Sequence, residues 1–519
     1  MAQRRVTRQA LSPLACGDSS GATVYTRRMG QTGARSTFER IAVLAVLALA
    51  VALRVQAYSP LDISHADELM QYLEQASRLA TGHGIRPWET RYGLRNELIP
   101  QLLALPMWIG HRIAPGTLTA FTLARITFSA LTLLALPAAW RLGALVSRGH
   151  ALVAMTVVAV WWQSVLFSDL LLSESLGAAI LLLAVAPLLD PAAGKGALRW
   201  SGFLLGLGVL VRLQYAPFAA VLFLAASWRD PPRWRPLVEG GLAAIALGAV
   251  SDLARGAMPF SWILVNFGMN VTEGRAARFG TSGPLYYLAE SYIHFGAAAL
   301  AFVLLCVLAS GRRYWPLLAA ALVTLAAHSL IAHKEYRFVW ITTLALLVLA
   351  GIGSLTIARF LAERRRSGAG EAPWVAVSVG LLWGLLSLSS FQITGGYSTM
   401  RGGNALPRLA IMAAQRPGVC RIALAEAYYT HVVPALLPRP VPLSVAPKGV
   451  YERTRPLPPA LARAANALIA AERPLGTGGW QQIACLQMPE ERPCLYVRPG
   501  TCTPDPEFNY QVSLERGGL

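Results

Sequence analysis

The chain has 519 residues, 55% of them hydrophobic and only 14% charged, with a mean hydropathy of +0.46. Soluble chains carry about a quarter charged residues, so a soluble globular protein is excluded. The formal net charge of +19 matches a nucleic-acid binder in total but not in pattern, because the arginines stand in short clusters between apolar runs.

Residues 1–37 hold Arg4, Arg5, Arg8, Arg27, Arg28 and Arg35 and no apolar stretch, so they read as a disordered basic lead rather than a cleaved signal. The first apolar run, 40–57, lacks a small-residue cleavage site behind it and reads as a retained anchor. Further runs lie at 98–114, 117–140, 150–168, 170–189, 200–227, 236–256, 286–309, 315–332, 338–358 and 373–393. Each approaches the roughly 20 residues a helix needs to cross a bilayer. The expectation is an all-α, multi-pass membrane module over 38–393 with about 10–12 spans. Basic clusters at Arg229/Arg233/Arg235, Arg312/Arg313 and Arg364/Arg365/Arg366 join the N-terminal arginines on one side, which the positive-inside rule makes cytoplasmic. Residues 58–97, 252–285 and everything after 393 then face outward. The partner implied by composition is the lipid bilayer, not nucleic acid.

The first outer loop, 58–97, opens on Ser64-His65-Ala66-Asp67-Glu68. Leu69, Leu73, Ala76 and Leu79 recur at helical spacing, with Gln71, Glu74, Gln75 and Arg78 on the other face. That pattern predicts an amphipathic helix lying in the membrane interface and ending at Gly82-His83-Gly84. Ser64-x-x-Asp67 has capping-box spacing, so Asp67 alone reads as a helix cap as readily as a catalytic acid. A cap accounts for one carboxylate, and this helix starts with two and a histidine. Trp88-Glu89-Thr90-Arg91-Tyr92-Gly93-Leu94-Arg95 follows.

Asp169 and Glu174 flank Ser173 at a helix junction, and Arg212 ends a long apolar run; each is either an interface residue or a cavity-lining one. The outer loop after the seventh run carries Asp252, Asn266-Phe267-Gly268-Met269-Asn270 and an aromatic, glycine-rich stretch at 279–287. Amides with aromatics suit a carbohydrate, although Asn and Gly also mark turns. His333-Lys334-Glu335-Tyr336-Arg337-Phe338 crowds charged groups between two apolar runs, a functional-site signal in a membrane protein. On a helix Lys334 and Arg337 share a face and can clamp a phosphate.

The tail, 394–519, changes texture: Pro, Arg and Gly, β-like runs at 420–424 and 494–497, and a helical segment near 458–472. This predicts a small extracytoplasmic α/β domain with a frayed end beyond about Pro504. Its cysteines, Cys420, Cys485, Cys494 and Cys502, predict one or two disulfides with the pairing open. A metal site is disfavoured there, since no C-x-x-C pair occurs and His431 is the tail's only histidine.

Taken together, these motifs resemble glycosyltransferase family 22, the polytopic α-mannosyltransferases of N-glycan and GPI-anchor assembly and their bacterial relatives. His65-Ala66-Asp67-Glu68 matches the family's H-P-D-E-like motif with Ala66 in place of proline. Trp88–Gly93, Asp252 with Asn266–Asn270, and His333–Phe338 match three more, in the family's order. The resemblance implies a GT-C fold and a polyprenyl- or dolichyl-phosphate sugar donor. It also implies transfer of a hexose, mannose first, to a glycan or glycolipid acceptor, with inversion, on the outer face of a bacterial inner membrane. In that frame Asp67 is the general base and Glu68 its catalytic partner. His333, Lys334, Arg337, Arg91 and Arg95 would receive the donor phosphate. His65, Trp88, Glu89, Asp252, Asn266, Asn270 and Glu335 would line the sugar and acceptor sites. Side-chain cations suffice for one phosphate, so no metal and no cofactor beyond the lipid-linked sugar are expected. The alternatives are a GT-C transferase of arabinose, glucose or galacturonic acid, and a flippase of lipid-linked sugars, although the internal repeats of a transporter are absent.

Overall fold

The computed structural model describes residues 20–228, 230–365, 373–396, 403–471, 473–488 and 491–517. It falls into two units, Met1–Ala48 and Leu49–Leu519. What is described of the first unit is helical: a helix runs Ser20–Ala57, so 20–37 of the expected disordered lead lies in a helix, and 1–19 falls outside the described residues.

In the second unit the apolar runs fold as helices, but few are single straight rods. Among the described residues Thr119–Ala144, Pro231–Ala254, Tyr336–Arg365 and Pro373–Ile393 are long and apolar enough to cross a membrane. Two bent pairs raise that number to 6 if each is one span: Arg148–Val160 with Trp162–Asp169 (61°), and Tyr286–Phe295 with Ala297–Leu308 (107°). Other apolar helices are shorter, and Ser173–Leu189 and Lys195–Val211 have 17 residues each. Among the described residues the chain thus offers four to six candidate spans, and the other runs of the expected 10–12 fold as shorter apolar helices.

Each break has a local cause. At the first bend the carbonyls of Val158 and Ala159 lose helical partners, and the Arg54 guanidinium takes both (3.2 and 2.9 Å). The second bend is made at Gly296, whose φ of +76° a side chain would strain. The predicted span 200–227 is two helices, Lys195–Val211 and Ala216–Ser227, parted at an extended Arg212. Lys195–Val211 and Pro231–Ala254 approach through glycine: a Cβ on Gly240 would meet the Arg199 carbonyl at 1.9 Å. Helix Tyr336–Arg365 runs through the middle, 89% of its most apolar stretch buried, as a helix apolar on all sides requires.

The predicted span 98–114 is a correction. Helix Leu98–Ile113 has 16 residues, short of the helices long enough to cross a membrane, and packs against both the short helix Glu74–Thr81 and helix Thr119–Thr132. Its following turn, at Gly116, reaches the Pro438 carbonyl of the C-terminal domain. Its Leu102, Leu105, Trp108 and Ile113 are exposed.

The bundle has two chemically distinct ends. At one, Arg233 donates to the Pro187 and Asp190 carbonyls, Arg313 to Leu145, and Arg359 to Ser147. The other end carries the first outer loop, the 333–337 motif and the tail.

The tail folds as a five-stranded sheet in the order β2-β1-β3-β5-β4, with β1 Ile422–Ala425, β2 Leu443–Ala446, β3 Ala467–Ala470, β4 Gln481–Cys485 and β5 Cys494–Val497. β1 pairs in parallel with β2 and β3, while β5 is antiparallel to β3 and β4. Two disulfides settle the pairing, Cys420–Cys502 and Cys485–Cys494. The helix predicted near 458–472 is corrected: only Pro459–Ala464 is helical, and the apolar Ala467–Ala470 is the central strand. A fully buried strand has no alternation, so its sequence cannot be told from a buried helix. Nor is the end frayed. The Phe508 carbonyl accepts the Val445 amide at 2.8 Å, and helix Tyr510–Gly517 follows, with Gln511 bonded to the Arg86 backbone at 2.9 and 3.1 Å.

That tail also corrects the first loop. Glu68–Leu73 is a π-turn continued by helix Glu74–Thr81, and everything from Glu68 to Ser77 is buried, including Gln71, Glu74 and Gln75. The helix is not laid in an interface; tail segment Glu426–His431 and helix Leu98–Ile113 cover it. Gly82 does end it, at φ +79°. Glu74 is the clasp: its two carboxylate oxygens accept the Ile85 and Ala435 amides, both at 2.9 Å.

Burial pushes the Glu74 carboxyl up to about 7 from 4.5, the two amides offsetting part of the effect. Its folded pKa exceeds its unfolded one, so its contribution to stability is fully present below about 4.5 and lost as pH rises through about 7. The shift corresponds to roughly 3 kcal/mol. In thermal unfolding of purified protein, Tm is expected to fall across that window, and Glu74→Gln to flatten the profile. An unchanged slope in the variant would rule Glu74 out as its source.

Candidate active site

Glu68 fixes the geometry around Asp67. One Glu68 oxygen accepts the Ser64 and His65 amides at 3.1 and 3.2 Å, and the other accepts the Leu171 amide at 3.1 Å. Arg125 lies 3.3 Å from it and also donates to the Asp169 carbonyl at 2.8 Å. Glu68 therefore does the capping that the spacing assigns to Asp67, with no exposure at all. Buried and held through both oxygens, it is placed as an anchor beside Asp67.

Asp67, released from capping, turns to the distant basic motif. Its Oδ2 accepts Arg337 Nη2 at 2.7 Å, while Oδ1 takes no protein hydrogen bond among the described residues and the side chain is 29% exposed. Arg337 is held by Glu335 at 2.7 and 3.0 Å and lies 3.8 Å from Glu174. His65 stands 3.9 Å from Glu335, and His333 3.1 Å from it. Arg95 donates to Glu89 at 3.1 Å, and Trp88 stacks on Phe279 with ring centroids 6.4 Å apart. Asp67, His65, Glu335, Arg337, Arg95 and Glu89 thus form one cluster.

Burial would raise the Asp67 carboxyl, but Arg337 and then Arg95 outweigh it and hold it below the ordinary carboxylate range. Glu335 is lowered too, burial being outweighed by Arg337. Glu89 goes the other way, its burial exceeding the pull of Arg95. Two neighbouring carboxylates are pushed apart, which leaves Asp67 ionised at any physiological pH.

Several expected residues also spend polar atoms on other contacts. His333 Nδ1 and Lys334 Nζ are taken by the Gly280 and Ser282 carbonyls at 2.9 and 2.8 Å, so they brace the 280–282 loop. Arg91 pairs with Glu515 of the last helix at 3.8 Å. Asp252 accepts the Phe260 amide at 2.7 Å, pinning a left-handed residue. Asn270, in the turn Gly268–Thr272, makes no hydrogen bond to the cluster among the described residues. Asn266 bonds to the Leu94 carbonyl at 3.2 Å beside Arg95. The sequence left Glu174 and Arg212 open; they pair at 3.1 Å directly behind Arg337. Arg125 was missed, although a lone arginine in an apolar run is itself a signal. Among the described residues no group of three or more His, Cys, Asp or Glu side chains is placed to hold a metal ion.

Beside the cluster runs an apolar cavity of about 1130 Å³ between the helices. Its lining extends from Ile99 and Val211, next to Arg95 and Arg212, to Arg141, Asp190 and Trp200 at the far end.

The family model of the Alg9-like mannosyltransferases matches residues 44–406. The chain belongs to that family. This Alg9-like protein is accordingly a membrane glycosyltransferase. No curated protein matches its sequence. Among solved structures, its fold is similar to ArnT from Cupriavidus metallidurans in the apo state, with a TM-score of 0.58 at 13% identity over 89% of this chain and 99% of that one. It is equally similar to the same ArnT bound to undecaprenyl phosphate (TM-score 0.57, 12% identity, 89% and 99%). At such identity the likeness gives the fold, GT-C, and the Alg9-like chain shares it from membrane bundle to C-terminal domain.

Proposed function

We propose that the protein transfers a hexose, mannose first, from a polyprenyl-phosphate donor to a hydroxyl of a glycan or glycolipid, with inversion and with Asp67 as general base. The observation that carries the reading is the junction at Ile99 and Val211, where a long apolar cavity meets a small chamber lined by Arg95 and Arg212, with Glu174 and Arg337 linking Arg212 to Asp67. A prenyl chain suits the cavity, and the cations beside its mouth suit a phosphate. The ArnT relative was solved with undecaprenyl phosphate bound, a ligand of that chemistry.

In the proposed step, Asp67 Oδ1 takes the acceptor's hydroxyl proton as the acceptor oxygen bonds to the anomeric carbon. The bond from that carbon to the phosphate oxygen breaks, and its electron pair leaves with the phosphate. Arg337 keeps Asp67 aimed through Oδ2, and arginine cations offset the charge on the departing group. The end carrying Arg233, Arg313 and Arg359 would face the cytoplasm, with exposed Trp228, Trp234, Trp315 and Trp374 flanking it at headgroup depth. The site would then open outward, away from the cytoplasm.

The test is incubation of purified protein with radiolabelled polyprenyl-phosphate mannose and a membrane glycolipid fraction. Label is expected in the acceptor, with stoichiometric release of polyprenyl phosphate. Donors carrying arabinose, glucose or galacturonic acid in parallel decide the sugar. Movement of intact donor across vesicles without release would replace the transferase with a flippase.

A further inference from the structure

The segment Arg275–Phe279 is a 3₁₀ turn that ends at Gly280, whose φ of +108° a side chain would strain. Beyond it the chain is fastened to residues 332–334 by three hydrogen bonds. His333 Nδ1 donates to the Gly280 carbonyl at 2.9 Å, Lys334 Nζ to the Ser282 carbonyl at 2.8 Å, and the Ser282 amide to the Ala332 carbonyl at 3.0 Å. The loop so fixed presents Phe279. Its ring lies nearly parallel to the buried Trp88, with centroids 6.4 Å apart and 24° between the planes, and tilted against His333 at 6.2 Å. Even so, Phe279 is 55% exposed. His333 joins the ring to the catalytic cluster: its Nε2 stands 3.1 Å from Glu335, which holds Arg337 and, through it, Asp67. His65, 3.9 Å from Glu335, is 34% exposed, and its ring nitrogens make no hydrogen bond among the described residues.

A single exposed phenyl ring is ordinary on a protein surface. This one differs in being held by the site's own residues, Trp88 and His333, on a loop that is tied down directly after it. A fixed aromatic face with an imidazole and a carboxylate nearby suits a sugar ring. The C–H groups of one pyranose face pack on the phenyl ring, and the hydroxyls around its edge reach the polar groups. We infer that Phe279 is the stacking platform for a sugar ring of the acceptor, with His65 and Glu335 taking hydroxyls of that sugar. The inference rests on the transferase reading above and narrows its acceptor: the reacting hydroxyl sits on, or next to, a saccharide ring. The sugar is the acceptor's because Phe279 lines neither the apolar cavity nor the chamber at its mouth. What meets its ring comes from the open side.

Phe279→Leu keeps an apolar side chain and removes the aromatic face, while Phe279→Tyr keeps the face. Contact with lipid is served as well by leucine as by phenylalanine, so stacking is what separates the two variants. Purified full-length protein is given radiolabelled polyprenyl-phosphate mannose at saturation and a dilution series of the membrane glycolipid fraction, with donor KM and Tm measured beside it. Phe279→Leu should raise the apparent acceptor KM roughly three- to tenfold, the scale of one aromatic contact, with kcat, donor KM and Tm held. Phe279→Tyr, the conservative change, should restore the acceptor KM. A Phe279→Leu enzyme with the wild-type acceptor KM overturns the platform and leaves the transferase reading standing, whether or not its Tm falls. A rise in donor KM in place of acceptor KM gives the ring to the donor sugar and overturns the assignment as well. A wild type that transfers sugar from none of the mannose, arabinose, glucose or galacturonic acid donors overturns the transferase reading itself.

Discussion

Asp67→Asn is expected to lower transfer by about 10³-fold or more, within the range for removing a general base from a positioned site. The amide is nearly isosteric, and its oxygen can still accept from Arg337 Nη2, as Oδ2 does at 2.7 Å. What it cannot do is take a proton. The electrostatics give the change a second signature. Since Arg337 and Arg95 hold the Asp67 carboxyl below its ordinary value, the ionised group stabilises the fold above that value, and this contribution fades as pH falls through the lowered pKa. Asn should therefore cost some Tm at neutral pH and less in acid. The wild-type rate should show no Asp67 limb near neutrality, because the group is ionised throughout. Turnover of labelled donor, with Tm measured beside it, checks both expectations. Near-normal turnover in a folded variant would remove Asp67 from the chemistry.

How much of this was legible in the sequence depends on the range of the interaction. The membrane class followed from composition, and the link between the 65–68 and 333–338 motifs followed from their chemistry, since an acid and a cluster of cations are mutually useful. The assignment within the acidic pair was not legible. Asp67 and Glu68 are adjacent, and which one caps is decided by Arg125, Asp169 and the Leu171 amide, all far along the chain. The place of Lys334 was hidden for a related reason. Its spacing from Arg337 puts both on one helical face, but Tyr336–Val339 is a 3₁₀ turn, and Lys334 before it bends back to the Ser282 and Ile331 carbonyls. Helix Leu98–Ile113 is hydrophobic enough to pass for a span, but at 16 residues it stops short of the length that crosses a membrane, and hydropathy does not announce where it stops. Glu74 looked like a solvated face because nothing local announces the domain that buries it.

The second large effect belongs to stability. Arg125→Met should destabilise the protein by about 3–5 kcal/mol, the usual consequence of removing one partner from a buried ion pair. Arg125 is 1% exposed, its partner Glu68 is fully buried, and Asp169 lies 3.6 Å away. Without the guanidinium, two carboxylates face each other with little solvent between them. Glu68 would keep its three amide donors but lose its only cation among the described residues. Partial rescue is expected from Arg125→Met combined with Glu68→Gln, since an uncharged pair leaves no stranded charge at that contact. A thermal scan of the two single variants and the double variant reads the coupling directly. Glu68→Gln alone should lower Tm while leaving turnover per folded molecule far closer to wild type than Asp67→Asn does. A reversal of that order, with Tm intact and turnover lost, would make Glu68 a catalytic group after all and Arg125 its positioning residue. The two neighbouring acids are thus separable by one pair of measurements.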